Sequence, residues 1–302
     1  MSEAPDSPNA PLVLCVGLAV WDLNYKLAAH PEADQKVRAK GLKGCGGGPA
    51  SNAAVQIKRL GGKATFAGRV GNDGMGELIA QDLQANGVNT SGLCWTHEPS
   101  SVATVLVKPD GQRTVIAPPP ALPVHSESIQ LHSINPAVVL LDGHEPELCE
   151  ALNAQASQSE IPVILDAGSV HDGTRRIWKT VSILAASEKF AKQVTGAEGD
   201  ADIFARLREQ HSGKACIVTF GERGLIYAEA GSEPTHLPAF PVQTIDSNGA
   251  GDAFHGALAL AIARGYGLHD ACVYASAAGA MTVTRLGART ALPKTQDLER
   301  LL

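Results

Sequence analysis

The chain has 302 residues, 44% hydrophobic and 19% charged, an ordinary globular mixture long enough for one large core or two modest ones. A formal net charge of -6 disfavours nucleic-acid binding through a basic face, and no apolar run approaches the roughly 20 residues that cross a bilayer. Six cysteines, at 15, 45, 94, 149, 216 and 272, form no CxxC pair, which argues against a zinc or redox motif and fits reduced thiols in the cytoplasm.

Residues 1–11, "MSEAPDSPNAP", are acidic and proline-rich without an apolar h-region, so they read as a flexible tail and not a signal peptide. One α/β domain is expected over 12–302. "PLVLCVG" is a short apolar run, as in a buried strand. After a glycine cluster, "NAAVQIKRLGG" predicts a helix over about 50–60, closed by Gly61. "KATFAGRVG" reads as a strand and "DGMGELIAQDLQANGV" as an amphipathic helix closed by Gly87. "AVVLLDG", "PVILDAG", "VSILAAS", "ACIVTFG" and "LIYAEA" are further strand-like runs, with "EPELCEALNAQASQ" and "DADIFARLREQHS" as helices among them. Strands alternating with helices predict an α/β fold with a doubly wound, mostly parallel sheet.

Two stretches break this rhythm, at about 21–46 and 94–122. The second contains "SVATVLVKPDGQRTVIA", two β-rich runs joined at Pro109-Asp110-Gly111, a hairpin signal. Together they are expected to form a small antiparallel β lid on the main domain. Extra edge strands are the plainer alternative. "PPP" at 118–120 reads as a stiff connector.

"SNGAGD" lies between the β-like run "PVQTI" and the apolar helix "DAFHGALALAIARG". Glycines at 249 and 251 let a ligand approach the backbone, and the free amides and dipole of a helix start attract phosphate oxygens. A plain strand-to-helix turn would explain the glycines alone. Asp252 changes that balance. In a helix's first turn its pKa is expected to fall, leaving an ionised, weak base. Such a base suits phosphoryl transfer, in which the acceptor hydroxyl keeps its proton until late. The substrate hydroxyl would then lie between carboxylate and anion.

"DSNGAGDAFHGALA" resembles the C-terminal signature of the PfkB, or ribokinase-like, sugar kinases, and "GGGPASNAAVQIKRLGGKATFAGRVGNDGMGE" resembles their N-terminal signature. The two occur in the family's order, and the resemblance covers nearly the whole chain after the tail. It implies a ribokinase-like fold and an ATP-dependent kinase, with Asp252 as base and Gly249, Ala250 and Gly251 as anion hole. It implies sugar contacts from Asp22, Gly47, Gly48 and Asn52. "TFGERG" resembles the TxGxxG turn, which implies nucleotide contacts at Thr219, Gly221 and Gly224. Asp246 matches a position tied to a monovalent cation, usually potassium. A homodimer through the lid is a further expectation.

Many members carry NxxE before a helix ending in TG, which organises magnesium and phosphate. Here that stretch is "SEKF": Ser187 replaces the asparagine, Phe190 replaces the glutamate, and Glu188 is the one carboxylate. Ser187 is therefore a nucleotide-side candidate and Glu188 a candidate for Mg2+. The Ser-Glu pair resembles the sulfofructose kinase subgroup and lies near the pattern of animal ketohexokinase, which implies a ketose-type acceptor. Asp142, His144, Glu145 and Asp166 follow strands and are further site candidates, while His255 is expected to pack. Lys36, Arg38, Lys43 and Arg113 could hold an anionic tail or simply be solvated. A nucleoside kinase would need aromatic groups around a base, and only Trp21, Tyr25 and Trp95 are on offer. A non-catalytic sugar-binding homologue is the reading from another class. A dinucleotide oxidoreductase fails for want of GxGxxG after the first strand.

Overall fold

The computed structural model describes residues 10–109, 113–117, 124 and 129–302. The tail expected over 1–11 lies almost wholly outside these, as do the hairpin turn at 110–112 and the triple proline.

The N-terminal half runs β1 (Leu12–Val16), β2 (Val20–Lys26), β3 (Gly41–Gly47), α1 (Pro49–Arg59), β4 (Lys63–Gly71), α2 (Gly74–Ala85), β5 (Asn89–Thr96), β6 (Val102–Val107) and β7 (Arg113–Ile116). It continues through α3 (Leu131–Ile134), β8 (Val138–Leu141), α4 (Pro146–Gln158), β9 (Val163–Ala167), α5 (Asp172–Ile177), β10 (Ile183–Ser187), α6 (Glu188–Thr195), α7 (Asp200–Gln210) and β11 (Ala215–Thr219). β12 (Leu225–Glu229), β13 (Thr235–Leu237), α8 (Ala250–Ala263), α9 (Leu268–Val283), α10 (Ala288–Ala291) and α11 (Thr295–Leu298) complete it.

Nine strands form the main sheet in the order β13-β12-β11-β10-β9-β8-β1-β4-β5. Every pairing from β11 to β5 is parallel, and β12 and β13 add antiparallel at one edge. The short apolar runs become central strands because helices cover both faces, so each strand needs no polar side. One core packs α1, α8 and α9 on one face, and a second packs α4 to α7 on the other. α8 is apolar nearly all round, as suits a helix enclosed by the sheet and its neighbours.

The lid is a four-stranded sheet, β3-β2-β6-β7. Its outer pairs are antiparallel, including the expected β6–β7 hairpin, whereas the central pair β2–β6 is parallel. β2 and β6 each follow a parallel strand of the main sheet, β1 and β5, so both leave it in the same direction. The second lid stretch starts later than expected, because Cys94–Thr96 still belong to β5. "PVQTI" forms no strand: residues 241–245 are irregular and mostly exposed. Among the described residues no helix is long and apolar enough to cross a membrane.

Candidate active site

Asp252 sits in the first turn of α8, one residue past Ala250 and Gly251. Gly249 caps this helix at φ 78°, ψ 0°, in the left-handed region that a residue with a Cβ enters only at a cost. The first ladder bond runs from Ala253 N to Gly249 O at 2.9 Å, so the amides of Gly251 and Asp252 precede the ladder. Gly251 itself is helical, and a Cβ there would point into open space beside the helix start. Its use is therefore room, while the unusual backbone angle belongs to Gly249.

α1 approaches α8 closely because Gly256 has no side chain: a Cβ there would lie 2.7 Å from Ala53 O. That contact brings Asn52, buried in the first turn of α1, to Asp252. Asn52 Nδ2 donates to Asp252 Oδ2 at 2.6 Å. The expected fall in the Asp252 pKa does not occur. Burial and the nearby Asp166 carboxylate raise it to about 6, against the opposing pull of the Asn52 hydrogen bond and His255. Desolvation outweighs the helix dipole here.

Asp22, on β2, faces a cavity of about 430 Å³ between the lid and the 286–290 turn. Asn24, Lys43, Cys45, Arg113, Asp246, Asn248 and Ala288 also line it, and among the described residues none that lines it is aromatic. Burial raises Asp22 to about 6, with Arg289 pulling the other way. Among the described residues no hydrogen bond takes up its carboxylate. Gly47 makes room for it, since a Cβ would sit 2.3 Å from Asp22 Oδ2. Gly48 caps α1, and its φ of 95° carries the chain past Leu18 into the helix.

The remaining candidates divide. Asp142 is buried and clamps the start of α1, accepting from Leu18 N, Ala50 N and His144 N at 2.9–3.1 Å. Burial opposes its charge, but His144 and these amides hold its pKa below the usual range. Burial likewise opposes the charge on His144, yet the Asp142 carboxylate at 3.2 Å lifts it to about 9. Glu145 instead accepts from Val124 N at 3.0 Å. His255 packs as expected: Nδ1 lies 2.7 Å from Gly251 O and 3.3 Å from Asp166, and Nε2 3.2 Å from Ala185 O.

Both metal candidates already have partners in this structure. Glu188 is paired with Lys192 at 3.0 Å and Arg223 at 2.8 Å, so two cations already hold its oxygens. Asp246 Oδ1 accepts from Arg113 at 2.6 Å and from Asn248 N, and Oδ2 accepts from Gly287 N at 2.8 Å. Ser187 is the N-cap of α6, accepting from Phe190 N at 3.0 Å and donating to Gly168 O.

Residues 10–295 match the pfkB family of carbohydrate kinases. The chain belongs to that family. Ribokinase of Bacillus subtilis (strain 168) is 27% identical over 300 residues, covering 96% of this chain and 99% of that protein. Fructokinase-1 of Zea mays is 28% identical, covering 86% and 89%. The structure of Arabidopsis thaliana ribokinase complexed with ribose and ATP superposes with a TM-score of 0.83 at 25% identity, over 97% of this chain and 98% of that one. The chain is thus a carbohydrate kinase, a phosphotransferase with an alcohol acceptor, on a ribokinase-like fold.

In this pfkB-family chain the "TFGERG" turn follows β11. Thr219 ends the strand, and Gly221 and Gly224 bracket a 3-10 turn at φ 63° and 89°. These residues share the strand-end side of the sheet with Ser187, which aligns with Thr219 in the β10–β11 register. Arg289 and Asp82 were not among the sequence candidates. Both lie outside the quoted signatures, and only the fold brings Arg289 of α10 to Asn52 and Asp82 of α2 to Arg289.

Proposed function

We propose that the protein transfers the γ-phosphate of ATP to a primary hydroxyl of a sugar, with a ketose-type acceptor. The observation that carries this reading is Asp252, a carboxylate with a pKa near 6 beside the free amides of a helix start. A base poised close to neutral pH accepts a proton better than one held near 4. The acceptor hydroxyl lies against Asp252, and the amides of the Gly249–Gly251 turn meet the charge on the moving phosphoryl group. Asp22 and Asn52 hold the sugar's other hydroxyls, with Gly47 and Gly48 opening the backbone to it. Thr219, Gly221 and Gly224 contact the nucleotide. ATP as donor is supported by the Arabidopsis ribokinase complex. Magnesium arrives on the nucleotide's own phosphates, where it keeps most of its waters.

The cavity's lining favours a sugar over a nucleoside, since among the described residues it offers no aromatic face to stack a base. The ketose assignment rests on the Ser187–Glu188 resemblance. None of the six cysteines is in a disulfide, which suits action in the cytoplasm. The test is ADP production across ketoses, aldoses, sugar phosphates and nucleosides. A ketose should give the highest kcat/KM. Turnover of nucleosides alone would replace the reading, and ATP binding without turnover of any acceptor would favour a non-catalytic homologue.

A further inference from the structure

Arg289 is 3% exposed, and a guanidinium so deeply buried is stable only if its nitrogens find acceptors. Each does. Nε donates to Asn52 Oδ1 at 2.7 Å, Nη1 to Asp82 Oδ2 at 2.5 Å, and Nη2 to Ser51 Oγ. The fork is held from outside as well. Gly46 leaves the space for it, since a Cβ there would lie 2.4 Å from Asp82 Oδ2 and 3.0 Å from Arg289 Nη1.

Asparagine can present either end of its amide, but guanidinium has only donors. The atom of Asn52 that meets Arg289 must be oxygen. The amide nitrogen is then forced towards Asp252, where it donates at 2.6 Å. We propose that Arg289 is a positioning residue for phosphoryl transfer: it locks Asn52 as a donor and so holds Asp252 in the ionised form that accepts the proton. Without the lock the amide can turn over and accept a hydrogen bond from protonated Asp252, which favours the inactive form. The opposing push is real, because burial and Asp166 already raise the Asp252 pKa. Asp82, partly open to solvent, supplies the counter-charge. This inference rests on Asp252 being the base.

The test is Arg289→Lys. Lysine keeps the charge but its ammonium cannot reproduce the three-way fork. The Asp252 carboxyl titration, followed by 13C NMR and assigned with Asp252→Asn, should move up by about one pH unit, the scale of a lost hydrogen bond to a charged group. kcat should fall about twofold at pH 7 and about eightfold at pH 5.5, with the KM for ATP within threefold, and the loss should vanish at pH 8.5. Should Arg289→Lys fail to fold, Asp82→Leu with Arg289→Met removes both charges at similar volume, a replacement that buried pairs often tolerate. An unmoved titration in a folded variant overturns the proposal and leaves Arg289 a structural residue. If the titration moves but wild type phosphorylates no sugar, the relay stands and the functional reading falls.

Discussion

Asp252 and Asp22 both carry pKa values raised to about 6 by burial, one at the proposed base and one in the proposed sugar site. Asp252 must be ionised to take a proton, and Asp22 accepts more strongly from hydroxyls when it is ionised. The kcat/KM for sugar should therefore fall below pH 6, more steeply than one proton predicts. A midpoint near 4 would mean that the helix dipole controls Asp252 after all. The same shift has a stability consequence. A carboxyl whose folded pKa is raised above 3.8 costs nothing below pH 3.8, and its cost is complete above about pH 6. Asp252→Asn should thus raise stability at pH 8 by up to about 3 kcal/mol, with no gain at pH 3.5 if the protein is still folded there. Equal melting shifts at both pH values would contradict this. Asp252 was legible in the sequence as a first-turn carboxylate after small residues. Its pKa was not, because the neighbours that set it, Asp166 and Asn52, lie on other elements and are joined only by packing.

Between elements, Arg113 of β7 reaches Asp246 ahead of α8, tying the lid to the main domain across the cavity. The pair is mostly buried, at 29% and 12% side-chain exposure, so it is worth more than a surface ion pair yet remains breakable. A four-stranded lid has one face needing cover, which a bound sugar would supply. Sugar binding should protect the amides of β6 and β7 from hydrogen exchange. Arg113→Gln should weaken that protection and raise the KM for sugar several-fold. Exchange in these strands that ignores saturating substrate would make the lid a static edge sheet. The strand-like runs were legible because parallel strands buried on both faces are continuously apolar. α9 was not, since its small residues Ala275, Ala277 and Ala278 are buried without an amphipathic stripe. The parallel β2–β6 pair was hidden too, because direction is set by where β1 and β5 release the chain.

Over the whole molecule, two signatures far apart in sequence meet at the α1–α8 contact, which is why the architecture could be read from them. On the lid face away from Arg113, Leu42 and Ile116 are 59% and 57% exposed, an apolar surface that a second lid would cover. Sedimentation should find a dimer at micromolar concentration, converted to monomer by Leu42→Lys with Ile116→Lys; a wild-type monomer would remove the lid interface. The central claim is that one carboxylate at a helix start takes the proton as phosphate moves. Its most direct test is single-turnover phosphorylation by Asp252→Asn beside calorimetric binding of nucleotide and sugar. The account predicts binding within a few-fold of wild type and a phosphoryl-transfer rate reduced about 100-fold or more. A variant that binds both ligands and transfers phosphate at more than roughly a tenth of the wild-type rate would contradict it.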